Sequence, residues 1–528
     1  MSEKRAIATI DCETDPFQYK RLPKPFLWGY YDGEEYLEFT KTNDLCDFIS
    51  QANRIIYAHN GGKFDFHFLI DKLRTFKPML VINGRIVKTE IGNSELRDSY
   101  SIVPVPLSAY NKEKIDYWKF EKDVRKKYMN EIKHYLYLDC KYLYELVYAF
   151  VNKFGAKITT AQAALSECKR IMGISNQEIT STKSLYDELK PFYFGGRVAA
   201  LKRGRFQINT YTYDINSAYP YAMTMNHPIG RIYKVLTPRT RNKINPTAFY
   251  FAKINSDGSL PLRTNGSLTY PKGKHDFFVG GRELLSCIAS NCILEKIHYT
   301  IEFKDTINFT KYVNTYYEMK NKAERGSTDY IFSKLMLNSL YGKFATNPNN
   351  YFDYILIEPQ FISAALHVDG YEFHSMIGNL ALMYRPIDEK QHKYYNIATA
   401  ASITSTVRSI LISTMQYIEL QGGTVFYCDT DSIITDIQLP SNIVGEQLGQ
   451  WKLESENKDL IIIAPKLYGS LNSITGHWKI ASKGVELTSY DLEQLAKGKQ
   501  YIYFRKAPTY SINKQPEFIS RKIPGLAP

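Results

Sequence analysis

At 528 residues the chain is too long for one hydrophobic core, so two or more domains are expected. Apolar residues make up 44% and aromatics 14%, with 42 tyrosines, which excludes a disordered chain. A formal net charge of +13 points to a polyanionic partner, nucleic acid first, although some basic proteins bind nothing anionic. Seven cysteines without a C-x-x-C pair argue against a disulfide framework and a zinc module. Cys12, Cys140 and Cys428 sit beside carboxylates and read as small buried hydrophobes. MSEKRAIATID holds no apolar leader, and no run of about 18 apolar residues occurs, so a cytoplasmic protein with no membrane role is expected.

The first element, AIATIDCETDPF, alternates as a half-buried strand and ends in Asp11 and Glu13, two apart and so on one face. IIYAHNGGKFDFHFLI follows, an apolar run broken at Asn60-Gly61-Gly62 and carrying Asp65. NEIKHYLYLDCKYLYELVYAFV reads as a helix with Tyr135 and Asp139 at i and i+4. Each carboxylate alone fits a solvated surface group. As an ordered set, four acidic groups suit Mg²⁺ or Mn²⁺, which take oxygen ligands. Two such ions about 4 Å apart can serve phosphodiester hydrolysis.

D-x-E, N-x₃-F-D and Y-x₃-D in this order resemble the three motifs of the proofreading 3′→5′ exonuclease of family B DNA polymerases. The resemblance implies that Asp11, Glu13, Asp65 and Asp139 are metal ligands and that Tyr135 orients the attacking water. It implies that Asn60 and Phe64 hold the frayed 3′ end, with Thr14 and His59 nearby. RDSYSIVPVP resembles the single-strand-binding segment and nominates Ser99; Lys112 matches a lysine of one branch, with Lys114 two residues away.

Further along, YTYDINSAYPYAM places Asp214 at the end of an aromatic strand, with Ser217, Tyr219 and Pro220 in the following turn. DYIFSKLMLNSLYGKFAT is a helix on which Lys334, Asn338, Tyr341 and Ala345 share one strip within an otherwise apolar circumference. Such a strip faces a cleft or a partner, where lysine suits phosphate and tyrosine a base or sugar; a core helix with a snorkelling lysine is the alternative. In TVFYCDTDSIITDI two β-branched runs meet at Asp429-Thr430, read as a tight turn, and Asp429 and Asp431 are expected to present carboxylates at one spot. A hairpin with a polar tip is the bland reading.

D-x-x-S-x-Y-P, K-x₃-N-S-x-Y-G and Y-x-D-T-D-S resemble the three polymerase motifs of the same family. The implied roles follow the motifs. Asp214 and Asp431 bridge two Mg²⁺ ions, with the Ile215 carbonyl as an extra ligand and Asp429 supporting. Lys334 and Lys320 bind the incoming dNTP, beside Asn338. Tyr341 and Tyr219 enclose the nascent base pair, and Tyr219 excludes a ribose 2′-OH. Tyr427 packs at the primer end. Thr404 and Arg408 match a template-side T-x₃-R, and Lys466 and Tyr468 match the K-x-Y that grips primer phosphates. FYFGGR, with Tyr193, Gly195, Gly196 and Arg197, matches the Y-x-G-G junction motif.

The implied fold is an α/β multidomain one: an RNase H-like exonuclease domain over 1–155, a helical connection over 156–190 and a right-hand polymerase domain over 191–528. Within the last, insertions are placed at about 225–310 and 348–395, fingers at 311–347, palm at 396–465 and thumb from 466. NNYFDYILIEPQ and HVDGYEFHSM are expected to pair as a hairpin in the second insertion. The short lead-in to Asp11 and the sequence KLMLNSLYGKF look like the protein-primed branch, which copies linear genomes from a hydroxyl on a terminal protein. That implies a monomer working with DNA template, primer strand, dNTPs and a terminal protein. A polymerase using ordinary primers, and a nuclease or scaffold with a dead polymerase site, are the rival readings; the three aspartates argue against the last.

Overall fold

A computed structural model describes residues 5–73, 75–106, 114–237, 243–367, 369–388, 391 and 393–526. Two large mixed sheets carry the fold. The first has ten strands. Ile7–Thr14 lies near one side of it, parallel to Ile55–Ala58 and antiparallel to Pro25–Tyr31. The alternation read from the sequence sorts its side chains: Ile10 and Cys12 join one apolar core, while the Thr9 hydroxyl on the other face donates to the Cys140 carbonyl of helix Met129–Phe154. That helix therefore covers the face bearing Asp11 and Glu13.

The ten-stranded sheet does not end with the N-terminal third. Phe352–Ile357 pairs with Thr75–Ile82, and Leu380–Pro386 and Glu372–Ile377 extend the sheet beyond it. The hairpin expected in the second insertion is thus corrected. Phe352–Ile357 and Glu372–Ile377 pair with Leu380–Pro386, which lies between them, and not with each other. Local sequence gives the strands; a third strand decides their neighbours.

The second sheet is centred on Thr210–Ile215, flanked by Ser432–Thr435 and Trp451–Ala464. Leu467–Asn472 and Trp478–Ser482 continue it, so the expected palm–thumb boundary at 466 falls inside a hairpin of one sheet. A separate four-stranded sheet, spanning His227 to Ile307, occupies the stretch expected as the first insertion, and the helices Thr310–Lys322 and Thr328–Phe344 occupy the stretch expected as the fingers. Tyr219 and Pro220, expected in a turn, sit on a short helix, Ala218–Met223. Helix Ile397–Leu420 is buried along most of its length. Cys287, inside helix Gly281–Ala289, is joined to Cys292 just beyond it, one local bond where the cysteine count had argued against a framework. No helix among the described residues is long and apolar enough to cross a membrane.

The C-terminal arm returns to the first sheet. Ile512 is fully buried in the core of the N-terminal sheet, and its amide donates to the Gly84 carbonyl at 3.0 Å. Tyr510 lies beside Phe64, His67 and Phe68.

His227 is a buried core histidine. Its Nε2 lies 2.7 Å from the Ala222 carbonyl and must donate; its Nδ1 accepts from the Ser402 hydroxyl at 2.9 Å. Burial holds it down at about 3. In the unfolded chain a histidine protonates near 6.5, so its contribution is intact above that pH and is lost as pH falls toward 3. At pH 5 the loss should reach about 2 kcal/mol. Urea unfolding at pH 7.5 and pH 5.0 should show it, with a shallower pH dependence in His227→Gln.

Candidate active sites

The N-terminal cluster is built by one strand and one helix. Asp11, Glu13 and Asp139 each offer a carboxylate oxygen, and these atoms lie within 4.8 Å of one another. Glu13 and Asp139 are buried and Asp11 is half-buried. The thiols of Cys12 and Cys140 are driven well up by burial and by these carboxylates, so both stay neutral. Tyr135, one helical turn from Asp139, is buried, hydrogen-bonded to Tyr117, and raised by burial and then by Asp139.

Asp65, the fourth expected ligand, stands apart from that group. It opens a short helix, Asp65–Phe68, and its carboxylate accepts from the Cys12 thiol on the opposite face of the strand. Burial raises it to about 7, and its Oδ1 has no hydrogen-bond partner among the described residues. Asn60 and Phe64 flank the same turn, and His59 Nδ1 lies 3.0 Å from Ser99 Oγ. Thr14 is half-buried at the end of the strand. Lys112 lies outside the described residues. Sequence reasoning passed over Tyr117, and also Asp98 and Arg85; the DY of KIDYW and the RD of RDSY were the available signals.

On the second sheet the Thr210–Ile215 strand lies between two antiparallel neighbours, with Asp214 opposite Ser432 and Lys452. The turn is Thr430-Asp431, not Asp429-Thr430. Thr430 takes a left-handed φ of 61°, and the Ile215 amide donates to the Asp431 carbonyl at 2.8 Å. The two hairpin aspartates take different partners. Asp429 meets Lys466 Nζ at 2.8 and 3.1 Å. Asp431 instead presses on Asp214: burial first, then the Asp431 charge, then Glu454 raise Asp214 to about 7. Burial, then Asp429, raise Asp431 to about 6. A left-handed residue between the aspartates breaks the two-residue alternation of extended chain, yet the Asp429 charge still raises Asp431, so the two carboxylates remain neighbours. Glu454 was missed; it alternates with Glu456 in KLESE much as Asp11 does with Glu13.

Above this pair, Lys334 and Asn338 are exposed on their helix and Tyr341 is half-buried, as one strip. The Lys320 ammonium donates to Ser217 Oγ at 3.3 Å and is held down by burial and by the like charge of Lys334. Tyr219 and Tyr341 stack on each other, ring centres 4.1 Å apart.

The expected template-side pair is corrected. Thr404 and Arg408 are buried, each 1% exposed, and cannot touch a nucleic acid from there. Arg408 makes a bidentate ion pair with Glu283 of the first insertion, both contacts at 2.7 Å. Its remaining nitrogen donates to the carbonyls of Phe194 and Gly195 at 2.7 and 2.8 Å. The pair thus fixes the Tyr193–Arg197 loop. That loop in turn meets the aspartate hairpin: Thr430 N donates to the Arg197 carbonyl at 2.7 Å, and a Cβ on Gly196 would stand 2.5 Å from the Thr430 side chain. Arg197 itself is buried with its guanidinium over the Tyr270 ring. Tyr427 is also buried, its hydroxyl accepting from the Lys466 amide and its ring beside Tyr468. Nothing in the sequence marked Glu283 except a lone acid on an apolar helix.

The chain is similar to known proteins along its whole length. The family model for type B DNA polymerases, organellar and viral, matches residues 106–372. A DNA-directed DNA polymerase of Enterobacteria phage PRD1 is 33% identical, the match covering 98% of each chain. A probable DNA polymerase of Podospora anserina is 26% identical over 76% of this chain and 36% of its own. Phi29 DNA polymerase, solved with primer-template DNA and incoming nucleotide substrates, superposes with a TM-score of 0.77 at 18% identity, covering 99% of this chain and 100% of that one. The last likeness speaks to fold.

The Arg408–Glu283 pair can be tested by itself. Arg408→Met leaves a buried, uncompensated carboxylate and should cost about 3–5 kcal/mol. Arg408→Met with Glu283→Leu should recover much of that loss. Thermal denaturation of both variants checks the order.

Proposed function

The chain belongs to the organellar and viral type B DNA polymerases and is a DNA-directed DNA polymerase; from that premise we propose that it extends primers at Asp214–Asp431, proofreads at Asp11–Glu13–Asp139, and begins a linear genome on a terminal protein. The observation that carries this reading is the pair of separate carboxylate groups, one on each large sheet. The family uses divalent metal, and both groups suit it. Three acidic oxygens converge in one, with the unpartnered Asp65 oxygen behind them, and crowded acids raised by burial make up the other. Two Mg²⁺ or Mn²⁺ ions per site, when bound, supply activation of a hydroxyl or water and charge compensation at the departing oxygens.

The residues of the chain do the rest. Asp214 and Asp431 hold the reacting groups in place, beside the Ile215 carbonyl, while Lys466 keeps Asp429 neutralised and stands within reach of a primer phosphate with Tyr468. Lys320 and Lys334, which repel each other, offer a dNTP triphosphate two positive charges. Tyr219 and Tyr341 part to admit the base pair, Asn338 lies beside it, and the Tyr219 ring fills the space of a ribose 2′-OH. Arg408 acts from below through the Tyr193–Arg197 loop, one turn along its helix from the buried Thr404. In the N-terminal site Tyr135 orients the water, and Asn60, Phe64, Thr14, His59 and Ser99 hold the 3′ end.

Two experiments test this. Asp214→Ala or Asp431→Ala should lower dNTP incorporation by about a thousandfold or more, several kcal/mol of lost transition-state stabilisation, with 3′→5′ degradation kept. Asp11→Ala with Glu13→Ala should do the reverse. Primer-extension and single-strand degradation assays on the same preparations decide.

For priming, a labelled dNMP should become covalently attached to the cognate terminal protein, in a bond that survives denaturation and is absent with Asp431→Ala. Full copying of the natural template from an oligonucleotide alone, with no labelled protein, favours ordinary primers.

A further inference from the structure

Behind the aspartate hairpin lies a cavity of about 630 Å³, bounded by the strand Val198–Ala200, the paired ends of Phe249–Asp257 and Lys272–Gly280, and the helix Ile397–Leu420. Alternation along Val198–Ala200 sets which side of the sheet it occupies. Val198 and Ala200 pack with Tyr427, whose hydroxyl accepts from the Lys466 amide. Ala199 packs with Cys428 and the long helix on the other side. Arg197 and Ala199 both line the cavity, so it lies on the face turned away from Tyr427 and Lys466. Two donors with nothing to donate to stand in its wall. Arg197 is 6% exposed, makes no ion pair among the described residues, and keeps its Nε buried without a hydrogen-bond partner. The Tyr270 ring lies against that guanidinium, 4.9 Å from its centre, and the Tyr270 hydroxyl is likewise buried and unpartnered among the described residues.

A buried guanidinium without a counter-charge is costly, and the nearby acids do not answer it. Glu283 spends both oxygens on Arg408. Asp257 accepts from the Ser290 hydroxyl at 3.2 Å and the Ser259 amide at 2.9 Å. Glu419, on the rim, is exposed. Lys202 and Lys272, also exposed on the rim, add positive charge. Burial, first among its causes, pushes the Tyr270 hydroxyl up to about 12, so it stays a proton donor at neutral pH. We propose that this cavity binds a phosphate group carried by a small molecule, with Arg197 Nε and the Tyr270 hydroxyl donating to its oxygens. A guanidinium matches phosphate oxygens, and more than one cation favours a group of more than one negative charge over a single carboxylate. The volume falls within the range of small-molecule sites, about 300–1,000 Å³. The site is separate from both carboxylate centres, and its face of the sheet sets it apart from the primer side.

The test is calorimetric titration and thermal denaturation of the full chain without divalent metal, using inorganic phosphate, dAMP and a single-stranded oligonucleotide, each against chloride at equal ionic strength. Phosphate and dAMP should bind saturably and raise the melting temperature of the parental chain, and the tighter of the two identifies the source of the phosphate group. Arg197→Met should weaken that binding by at least about tenfold, the discrimination of one charged hydrogen bond. In chloride it should melt no lower than the parental chain, because an unpaired buried charge has been removed; an arginine with a merely structural role would give the opposite. Tyr270→Phe keeps the ring, removes one donor and should weaken binding about tenfold; it decides by itself if Arg197→Met does not fold. Equal stabilisation of the parental chain by phosphate and chloride, or parental phosphate affinity in Tyr270→Phe, would overturn the proposal. So would Arg197-dependent binding of the oligonucleotide but of neither small molecule, which would make the occupant a nucleic-acid strand.

Discussion

The register between Thr210–Ile215 and Ser432–Thr435 is the constraint on which the C-terminal sheet turns. It sets Asp214 opposite Ser432 and ties the Ile215 amide to the Asp431 carbonyl. Two acids are thereby held near each other in a half-buried place, against their mutual repulsion. The sheet must be stiff enough to enforce this. A slip of one residue would turn Asp214 to the other face, and the apolar residues that alternate with it forbid that. Surrounding cations temper the arrangement without cancelling it: Lys479 and Lys452 lower Asp214, and Lys466 lowers Asp431.

The N-terminal cluster meets the same electrostatic problem with different parts. A strand face and a helix face, joined through the Thr9–Cys140 hydrogen bond, bring three acids together. Two thiols and a tyrosine fill the gaps, all held neutral by burial. Beside the C-terminal sheet the Arg408–Glu283 pair acts as a fastener. It binds the first insertion to the long buried helix and to the glycine loop, and that loop abuts the aspartate turn. A disturbance in the insertion has a short mechanical route to Asp431.

Much of this was legible because it is local. Asp11 with Glu13, Tyr135 with Asp139, and the Lys334–Asn338–Tyr341 strip follow from the periods of strand and helix, and ordered motifs carried the family. What was lost is non-local or conformational. A single left-handed residue, Thr430, moved the turn by one position and gave Asp429 and Asp431 different partners. Arg408 was expected on the template side because nothing near it in sequence announces Glu283, 125 residues earlier. Asp65 followed the motif, yet the short helix it begins turns it toward Cys12. The strands of the second insertion were visible, while their order depended on Leu380–Pro386 and on the distant Thr75–Ile82.

The burial of Ile512 in the N-terminal core bears on how the chain matures. That core draws on residues 8–96, on 354–382 and then on residue 512. During synthesis the early strands emerge hundreds of residues before their last partner. The N-terminal lobe therefore cannot finish its core until residue 512 has been made. It must wait, with part of its apolar surface uncovered, until that segment emerges. That exposed interval is where chaperone capture or aggregation would strike during expression.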